Sequence, residues 1–380
     1  MTILLGALGV VLILIVLGDA FETIVLPRRV TRPISLARLF YQSTWLAWSG
    51  AVRSIFSSKR QENFLSWYGP LSLLLLLILW ATCLIIGFGL VHWATGSIIR
   101  SQYGTVNFGT YLYLSGTTFF TLGLGDVVPC TTFGRGVVAF EAGMGFGFLA
   151  LVIGYLPVLN QSFSRREVNI SLLDARAGSP PTAVEMLRRH GHEHGMEDLR
   201  QLFHEWERWS ADLLESHLSY PVLAYFRSHH DNQSWLGALT AILDASALAS
   251  VILEGPCERQ AQLTFAITRH AIVDLAQVFN CPPHKPKHDR LPPDELARIR
   301  TILKEAGLNP REGNTVDQRL SDLRQMYEPY VYSLSNYLHI TVPSWIPKAG
   351  RLDGWQTSAW GRSKGFQIEG PPDTGQDEHF

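Results

Sequence analysis

Cysteine is scarce in this sequence, and several common functional motifs are missing. The chain of 380 residues has four cysteines, without the spacing of metal ligands or of a disulfide framework. It contains no nucleophile elbow, phosphate loop, dinucleotide fingerprint or zinc signature, so we expect neither an enzyme nor a bound cofactor. No basic patch with interleaved aromatic residues is present, which argues against nucleic acid as a partner.

Charge is also sparse, at 17% of the residues, and it is unevenly placed. Apolar residues make up 47% of the chain, and together with so few charges this predicts that the protein is not wholly soluble. Up to about residue 164 the charges are nearly confined to one loop, whereas from Arg165 onward acids and bases are interspersed. The sequence therefore predicts a membrane part followed by a soluble part.

Three long apolar segments predict membrane-spanning helices. They cover residues 3–17 with a weak extension to 26, residues within 63–99, and residues from about 133 to 159, where Glu141 is the one acid. A cleaved signal peptide is the alternative for the first segment. That alternative requires a basic stretch before the segment and a small-residue cleavage site after it, and neither is present. Pro157 predicts the end of the third helix or a kink in it.

Basic residues collect between the first two spans. Residues 27–63 contain one acid, Glu62, and the bases Arg28, Arg29, Arg32, Arg38, Arg53, Lys59 and Arg60. Cytoplasmic loops are enriched in lysine and arginine, so this loop is predicted inside the cell with the C-terminal half, and the N-terminus outside. Aromatic and apolar residues within the loop favour an interfacial helix, with a buried helix of the soluble part as the alternative.

The segment between the second and third spans carries the pattern with the most functional information. Residues 108–119 are apolar and too short to cross a bilayer, which predicts a re-entrant helix containing Thr117 and Thr118. The next residues are Thr121, Leu122, Gly123, Leu124, Gly125 and Asp126, here named the TLGLGD segment. Glycine at alternate positions permits positive φ, so successive carbonyls can face one axis and replace water around a cation. Thr121 offers a hydroxyl at the inner end, and Asp126 is expected to fix the segment by a hydrogen bond or to concentrate cations.

The stretch TTFFTLGLGDVVP resembles the pore signature of potassium channels, T-x-G-[YFL]-G-D followed by a proline. Over roughly residues 65–160, the resemblance implies a pore domain in which four copies of the chain enclose one path for K+. Leu124 stands where many members have tyrosine, so that side chain makes no hydrogen bond to the pore helix. A non-selective cation channel is one alternative, and a membrane-anchored sensor or scaffold with a non-conducting loop is another.

The third span contains further candidates. An ionisable residue within a span is energetically costly, so Glu141 is predicted either to be protonated or hydrogen-bonded behind the filter, or to face the permeation path. Glu141→Gln is accordingly expected to change conductance or its pH dependence. Gly143, Gly145 and Gly147 are gating candidates, with Gly145 as the preferred hinge and close helix packing as the alternative. No span carries the regularly spaced arginines of a voltage sensor, so voltage is not the expected trigger.

The soluble half is predicted to be helical after a linker at residues 178–181. Apolar spacing predicts helices at about 182–217, 233–253, 258–279, 294–306 and 316–338. The histidines of residues 190–194 favour a solvated helix break over a metal site, because histidines alternating around glycine cannot share one helix face. From Pro343 onward the composition predicts disorder, with Trp345, Trp355 and Trp360 as candidates for docking.

The fold class is therefore all-α, with a membrane pore domain of three spans and a re-entrant helix followed by a helical cytoplasmic domain. The predicted regions are an N-terminal transmembrane helix (1–26), a basic cytoplasmic loop (27–63), a pore domain (64–164), a helical cytoplasmic domain (165–342) and a tail (343–380). The expected partners are further copies of the chain, the lipid bilayer of the cell membrane and an unknown cytoplasmic regulator.

Overall fold

The computed structural model describes most of the chain up to residue 347. The described ranges are 2–26, 35–56, 58–96, 98–101, 105–192, 195–229, 232–253, 255, 257–286 and 288–347. Contacts divide the chain into two compact units, residues 1–165 with 215–227 and residues 166–214 with 228–380. The predictions made for Arg28, Arg29, Arg32, His194, Trp355 and Trp360 lie outside the described residues.

The first unit consists of helices and one short antiparallel ladder. Its elements are α1 (Thr2–Ala20), a π-helical turn (Phe21–Val25), α2 (Leu36–Ile55), α3 (Ser58–Ala94), β1 (Ile99–Ser101), α4 (Phe108–Phe119), β2 (Val127–Pro129) and α5 (Thr132–Ala177). The last part of α5 belongs to the second unit. In the ladder, Ile99 pairs with Pro129 and Ser101 with Val127. The predicted all-α class is confirmed, and this ladder is the part that the sequence did not predict.

Helix α1 packs closely along α3. A Cβ atom added to Gly9 would lie 2.6 Å from the carbonyl oxygen of Gly87, so a side chain there would push the helices apart. Asp19 is buried, and its carboxylate accepts hydrogen bonds from Trp80 Nε1 at 2.9 Å and from Ala37 N at 3.0 Å. A carboxylate is well suited to the unpaired amides at a helix N-terminus. Asp19 therefore joins α1 and α3 to the start of α2.

Helix α2 occupies most of the predicted basic loop and is partly buried by its own chain. Trp45 is 1% exposed, and its ring lies 4.8 Å from that of Tyr68 and 5.1 Å from that of Tyr225. Ser35 begins the helix by accepting a hydrogen bond from the amide of Arg38. One face of α2 is thus fixed by aromatic packing, and its position at a membrane interface stays a prediction.

Helix α5 does not end at Pro157. It runs without interruption to Ala177, far beyond the predicted third span. A proline inside a helix removes one backbone hydrogen bond. Burial of apolar residues that follow the proline offsets this loss, because Leu159, Ile170 and Leu173 are all less than 4% exposed.

Part of the predicted cytoplasmic domain belongs instead to the first unit. Residues 220–226, here named the return segment, include a 3₁₀ turn at Pro221–Tyr225. The ring of Phe226 sits against Gly69, where an added Cβ would meet it at 2.7 Å. Val222 and Leu223 share a buried cluster with Leu73, Tyr155 and Leu159. The prediction of one domain over 165–342 is wrong for this segment, because its apolar side chains are covered by the membrane helices.

The second unit is all-helical and surrounds one buried helix. Its elements include α6 (Ala183–Arg189), α7 (Gly195–Ser219), α8 (Trp235–Ile252), α9 (Glu258–Val278), α10 (Pro293–Glu305), α11 (Asn314–Gln325) and α12 (Glu328–Leu338). Every residue of α8 is buried. The C-terminal end of α7, from Glu215 onward, belongs to the first unit.

Four helices among the described residues are long and apolar enough to cross a membrane. They are Thr2–Val25, Arg60–Ala94, Thr132–Ala177 and Trp235–Ile252. Each of the first three overlaps one of the predicted spans. The fourth is α8, which is covered by protein on all sides, so we assign it to the core of the second unit.

The predicted tail begins later than the sequence indicates. Trp345 is 0% exposed, and its ring lies 5.6 Å from the guanidinium of Arg290 and 5.7 Å from that of Arg324. The amide of Val184 donates a hydrogen bond to the carbonyl of Trp345 at 3.2 Å. Disorder from Pro343 is therefore the wrong prediction for residues 343–347, because burying a tryptophan ring stabilises an ordered position.

Candidate functional site

Helix α4 is the predicted re-entrant helix. Its start is fixed by Asn107, whose side chain accepts a hydrogen bond from the amide of Thr110, while the Thr110 hydroxyl accepts one from the amide of Asn107. Thr117 donates to the carbonyl of Tyr113 at 2.9 Å, and Thr118 is buried. The helix ends at Phe119, which brings the chain directly into the TLGLGD segment.

The TLGLGD segment has an alternating backbone. φ is positive at Thr121 (56°), Gly123 (57°) and Gly125 (77°), and the intervening leucines are not among the residues with positive φ. Glycine adopts this conformation freely, but Thr121 is β-branched and is therefore strained there. Strain of this kind persists only where the surrounding structure imposes it, and it concentrates at functional sites. The positive φ predicted for the two glycines is therefore present, and their role in binding a cation stays a prediction.

The chain leaves this segment uncovered. Residues 121–125 are all exposed, and the side chains of Leu122 and Leu124 are 60% and 62% exposed. Within the described part of the chain, no backbone hydrogen bond connects the amides of residues 123–126 to another element. Backbone polar groups that lie between two spanning helices need protein or water as partners. In the single chain, the backbone of residues 121–125 is therefore open to solvent.

Asp126 is held by the re-entrant helix. The hydroxyl of Tyr113 donates a hydrogen bond to Asp126 Oδ2 at 2.9 Å, and Asp126 Oδ1 accepts one from the amide of Val127 at 3.1 Å. Val127 is the first residue of β2, which pairs with β1. Of the two roles predicted for Asp126, these contacts support the one in which a hydrogen bond fixes the segment. Tyr113 supplies from α4 a hydrogen bond that Leu124 cannot make.

At Gly145, α5 lies very close to the C-terminal end of α4. A Cβ atom added there would lie 1.9 Å from the carbonyl oxygen of Phe119 and 2.8 Å from its carbonyl carbon. Gly143 and Gly147 differ, because a Cβ added at either position has nothing within 4 Å in this chain. The contact at Gly145 supports the packing alternative, and a hinge there stays a prediction.

Glu141 is buried within the single chain. It is 0% exposed and forms a hydrogen bond with the hydroxyl of Ser115 in α4. His92 of α3 is also 0% exposed, and its Nε2 lies 3.6 Å from Glu141 Oε2. These contacts support the predicted hydrogen-bonded role of Glu141 over a position on the permeation path, since a residue facing a path between chains would be exposed in one chain alone.

Of the histidines in residues 190–194, the structure describes His190 and His192, and the predicted solvation is wrong for His190, which is 9% exposed. His190 is buried at the end of α6, with Nδ1 2.7 Å from the carbonyl oxygen of Met186. Among the described residues, no group of three or more histidines, cysteines, aspartates or glutamates is arranged to hold a metal ion.

Sequence reasoning missed three members of the site. His92, Ser115 and Tyr113 lie on α3 and α4 and contact Glu141 or Asp126. The available signal was weak, because an isolated histidine near the end of an apolar span and hydroxyl groups in a short helix are also compatible with ordinary packing. Their pairing depends on three helices that only the fold brings together.

Comparison with known proteins identifies the part of the chain that contains this site. A family model described as "Ion channel" matches residues 73–160. The match includes most of α3, all of α4, the TLGLGD segment and the first half of α5, and thus His92, Ser115 and Glu141. No curated protein and no solved structure matches the chain.

Proposed function

Residues 73–160 are an ion channel domain, and we propose that it conducts potassium ions passively through a pore formed by four copies of this chain. The permeant K+ is the only ligand this function needs. The observation that carries the proposal is the alternating backbone of the TLGLGD segment.

Positive φ at residues 121, 123 and 125 is what an ion-binding backbone requires. In a regular extended strand, successive carbonyls point in opposite directions. Alternating positive and negative φ can turn them toward one side, where a ring of carbonyl oxygens replaces the hydration shell of a dehydrated cation. The strained Thr121 begins the row and adds a hydroxyl oxygen.

The exposed state of the segment supports an oligomeric pore. One strand of carbonyls cannot surround an ion, and the chain contains one copy of the motif. Closed rotational symmetry presents the same backbone equally from every copy, and four copies give the fourfold site that the resemblance implies. Oligomerisation also covers Leu122 and Leu124, which are mostly exposed in the single chain.

The contact between Tyr113 and Asp126 supports potassium selectivity. A selective site must keep its oxygens from closing around a smaller ion, by cavity size or by the number and strength of its ligands. Leu124 cannot anchor the segment through a hydrogen bond. The hydroxyl of Tyr113 anchors its outer end instead, 2.9 Å from Asp126 Oδ2.

The membrane arrangement follows from the spans and the basic loop. Three apolar helices and an ion channel domain make this a membrane protein. Basic residues between the first two spans favour a cell-membrane protein with its N-terminus outside and its second unit in the cytoplasm. We assign to that helical unit the control of the open probability, through a cytoplasmic regulator.

A flux assay tests conduction. Purified protein in liposomes loaded with K+ is expected to take up rubidium, and barium is expected to block the uptake. Gly123→Ala should abolish uptake, because alanine at φ 57° is strained where the carbonyl direction matters. Gly136→Ala is the matched control, since this α5 glycine has helical geometry and open space around an added Cβ.

The same preparation distinguishes the alternatives. A scaffold with a non-conducting loop would show no barium-sensitive uptake in any variant. A non-selective channel would conduct, but its reversal potential would not move when K+ replaces Na+. Tyr113→Phe tests the anchor, because loss of the hydroxyl should weaken selectivity for K+ over Na+ while preserving uptake.

A further inference from the structure

Three buried polar side chains meet beside the pore helix, one from each helix of the ion channel domain. Glu141 belongs to α5, Ser115 to α4 and His92 to α3, and all are 0% exposed. Ser115 Oγ also lies 2.8 Å from the carbonyl oxygen of Ile85 in α3. The cluster therefore joins α3, α4 and α5 at one point.

The hydrogen bonds at Ser115 need two protons. A serine hydroxyl carries one proton, and a carbonyl oxygen such as that of Ile85 can only accept a hydrogen bond. If Ser115 donates to Ile85, its contact with Glu141 Oε1 is a hydrogen bond only when Glu141 supplies the proton. An ionised Glu141 could accept from Ser115, but Ser115 would then have no proton for the Ile85 carbonyl, 2.8 Å away.

Burial and the position of His92 favour the same assignment. An isolated carboxylate is very costly in a protein interior, so an imidazolium would have to accompany it. His92 Nε2 lies 3.6 Å from Glu141 Oε2, beyond hydrogen-bond distance, and neither ring nitrogen has a hydrogen-bond partner among the described residues. A charged His92 would therefore bury a positive charge and two N–H groups without hydrogen-bond partners. A neutral ring buries no charge and only one such N–H group.

We propose that Glu141 is a neutral carboxylic acid whose Oε1 proton is donated to Ser115, and that Ser115 donates in turn to the carbonyl of Ile85. This directed chain of hydrogen bonds holds α5 and α3 against α4, with a neutral His92 whose Nε2 lies 3.6 Å from the second carboxyl oxygen. Glu141 is then a positioning residue for the pore helix. The location of the proton is independent of conduction, whereas the positioning role rests on the proposed function.

Infrared difference spectroscopy tests the proton directly. The spectrum of the wild-type protein at neutral pH minus that of Glu141→Gln is expected to contain the carbonyl band of a protonated carboxylic acid. Ser115→Ala should shift this band, because the acid loses its hydrogen-bond acceptor. A difference spectrum with a carboxylate band and no protonated band would overturn the proposal.

Glutamine is a mimic of the protonated acid, because its amide donates and its carbonyl accepts in nearly the same positions. Glu141→Leu is expected to lower rubidium uptake by about tenfold, since the buried hydroxyl oxygen of Ser115 would lose its hydrogen-bond donor. Glu141→Gln should recover most of that loss. The sequence alone predicted that this substitution would alter conductance, and the cluster geometry changes the expectation.

An ion pair between Glu141 and His92 predicts the opposite pattern. Glu141→Gln would then leave a buried imidazolium without its counter-ion, and uptake would be lost. Adding His92→Gln to that variant would restore uptake. This pair of results would overturn the proposal. Ser72→Ala is the control for removing a buried serine hydroxyl, because Ser72 donates only to Gly69 within α3. Wild-type protein with the protonated band and no uptake would refute conduction and still support the proton assignment.

Discussion

Alanine at Gly145 is expected to disrupt the channel domain, although the change adds a single carbon atom. The added Cβ would lie 1.9 Å from the Phe119 carbonyl oxygen, whereas ordinary contact begins at 3.4 Å. The main chain of α4 or α5 would have to move by about 1.5 Å, because backbone atoms cannot rotate away as a side chain can. Phe119 ends α4, so this movement is passed directly to the TLGLGD segment.

The energetic size of this perturbation can be bounded. Overpacking a close contact costs about 1–3 kcal/mol, and a clash with rigid backbone belongs at the upper end of that range. In a symmetric oligomer the same clash occurs in every copy. We therefore expect Gly145→Ala to lose most rubidium uptake and to lower the melting temperature of the purified protein.

Gly143→Ala and Gly147→Ala separate packing from helix flexibility. Both substitutions stiffen α5 by about as much as Gly145→Ala, since alanine is favoured over glycine in a helix by roughly 1 kcal/mol. Neither added carbon has a neighbour within 4 Å in the chain. Uptake should survive in these two variants. Normal uptake by Gly145→Ala, or equal losses in all three variants, would refute the packing argument.

Three further predictions concern stability. Trp80→Phe removes the indole donor to buried Asp19 and should lower stability in detergent by about 1–3 kcal/mol, whereas Trp67→Phe, at a ring that is 63% exposed, should leave melting unchanged; equal melting of both would contradict this. Burial opposes the ionisation of Glu185, but hydrogen bonds from the two arginines that end its helix outweigh burial and hold its pKa below the ordinary value of 4.5. The contribution of Glu185 to the free energy of unfolding should be complete above pH 4.5 and be lost as the pH falls through the lowered pKa. Glu185→Gln should therefore lower stability at neutral pH and make stability less dependent on acid pH, as followed by circular dichroism. Trp345→Ala should destabilise the second unit by about 3–5 kcal/mol in the same assay, and an unchanged transition would refute its role as an anchor.

Much of the fold was predictable because it depends on local patterns. Long apolar runs predict α1, α3 and α5, since a bilayer requires helices of that length. The TLGLGD segment was equally accessible, because glycine at alternate positions has a direct consequence for φ. The end of α5 could not be predicted in this way. Pro157 indicates that the helix ends, whereas the apolar residues after it are compatible with a longer helix. The helix continues because Ile170 and Leu173 are buried in the fold.

The remaining features depend on residues that are distant in sequence. His92 and Glu141 carry no motif, and their contact exists only after α3 and α5 have packed around α4. Trp345 lies two residues after Pro343, in a stretch whose composition predicts disorder, yet its ring is covered on contact with Arg290 and Arg324. The composition of a segment gives no information about the residues that pack against it in the folded protein, so the burial of Trp345 could not be predicted.

The return segment has a practical consequence for how this protein can be cut and recombined. A fragment ending at residue 165 would lack Tyr225 and Phe226, so Trp45, Tyr68 and Gly69 would be bared. Grafting a foreign sensor onto the chain at that junction would therefore remove part of the packing of the first unit. A chimaera should instead keep residues 215–227 together with residues 1–165, because the chain leaves the first unit, returns to it and leaves it again.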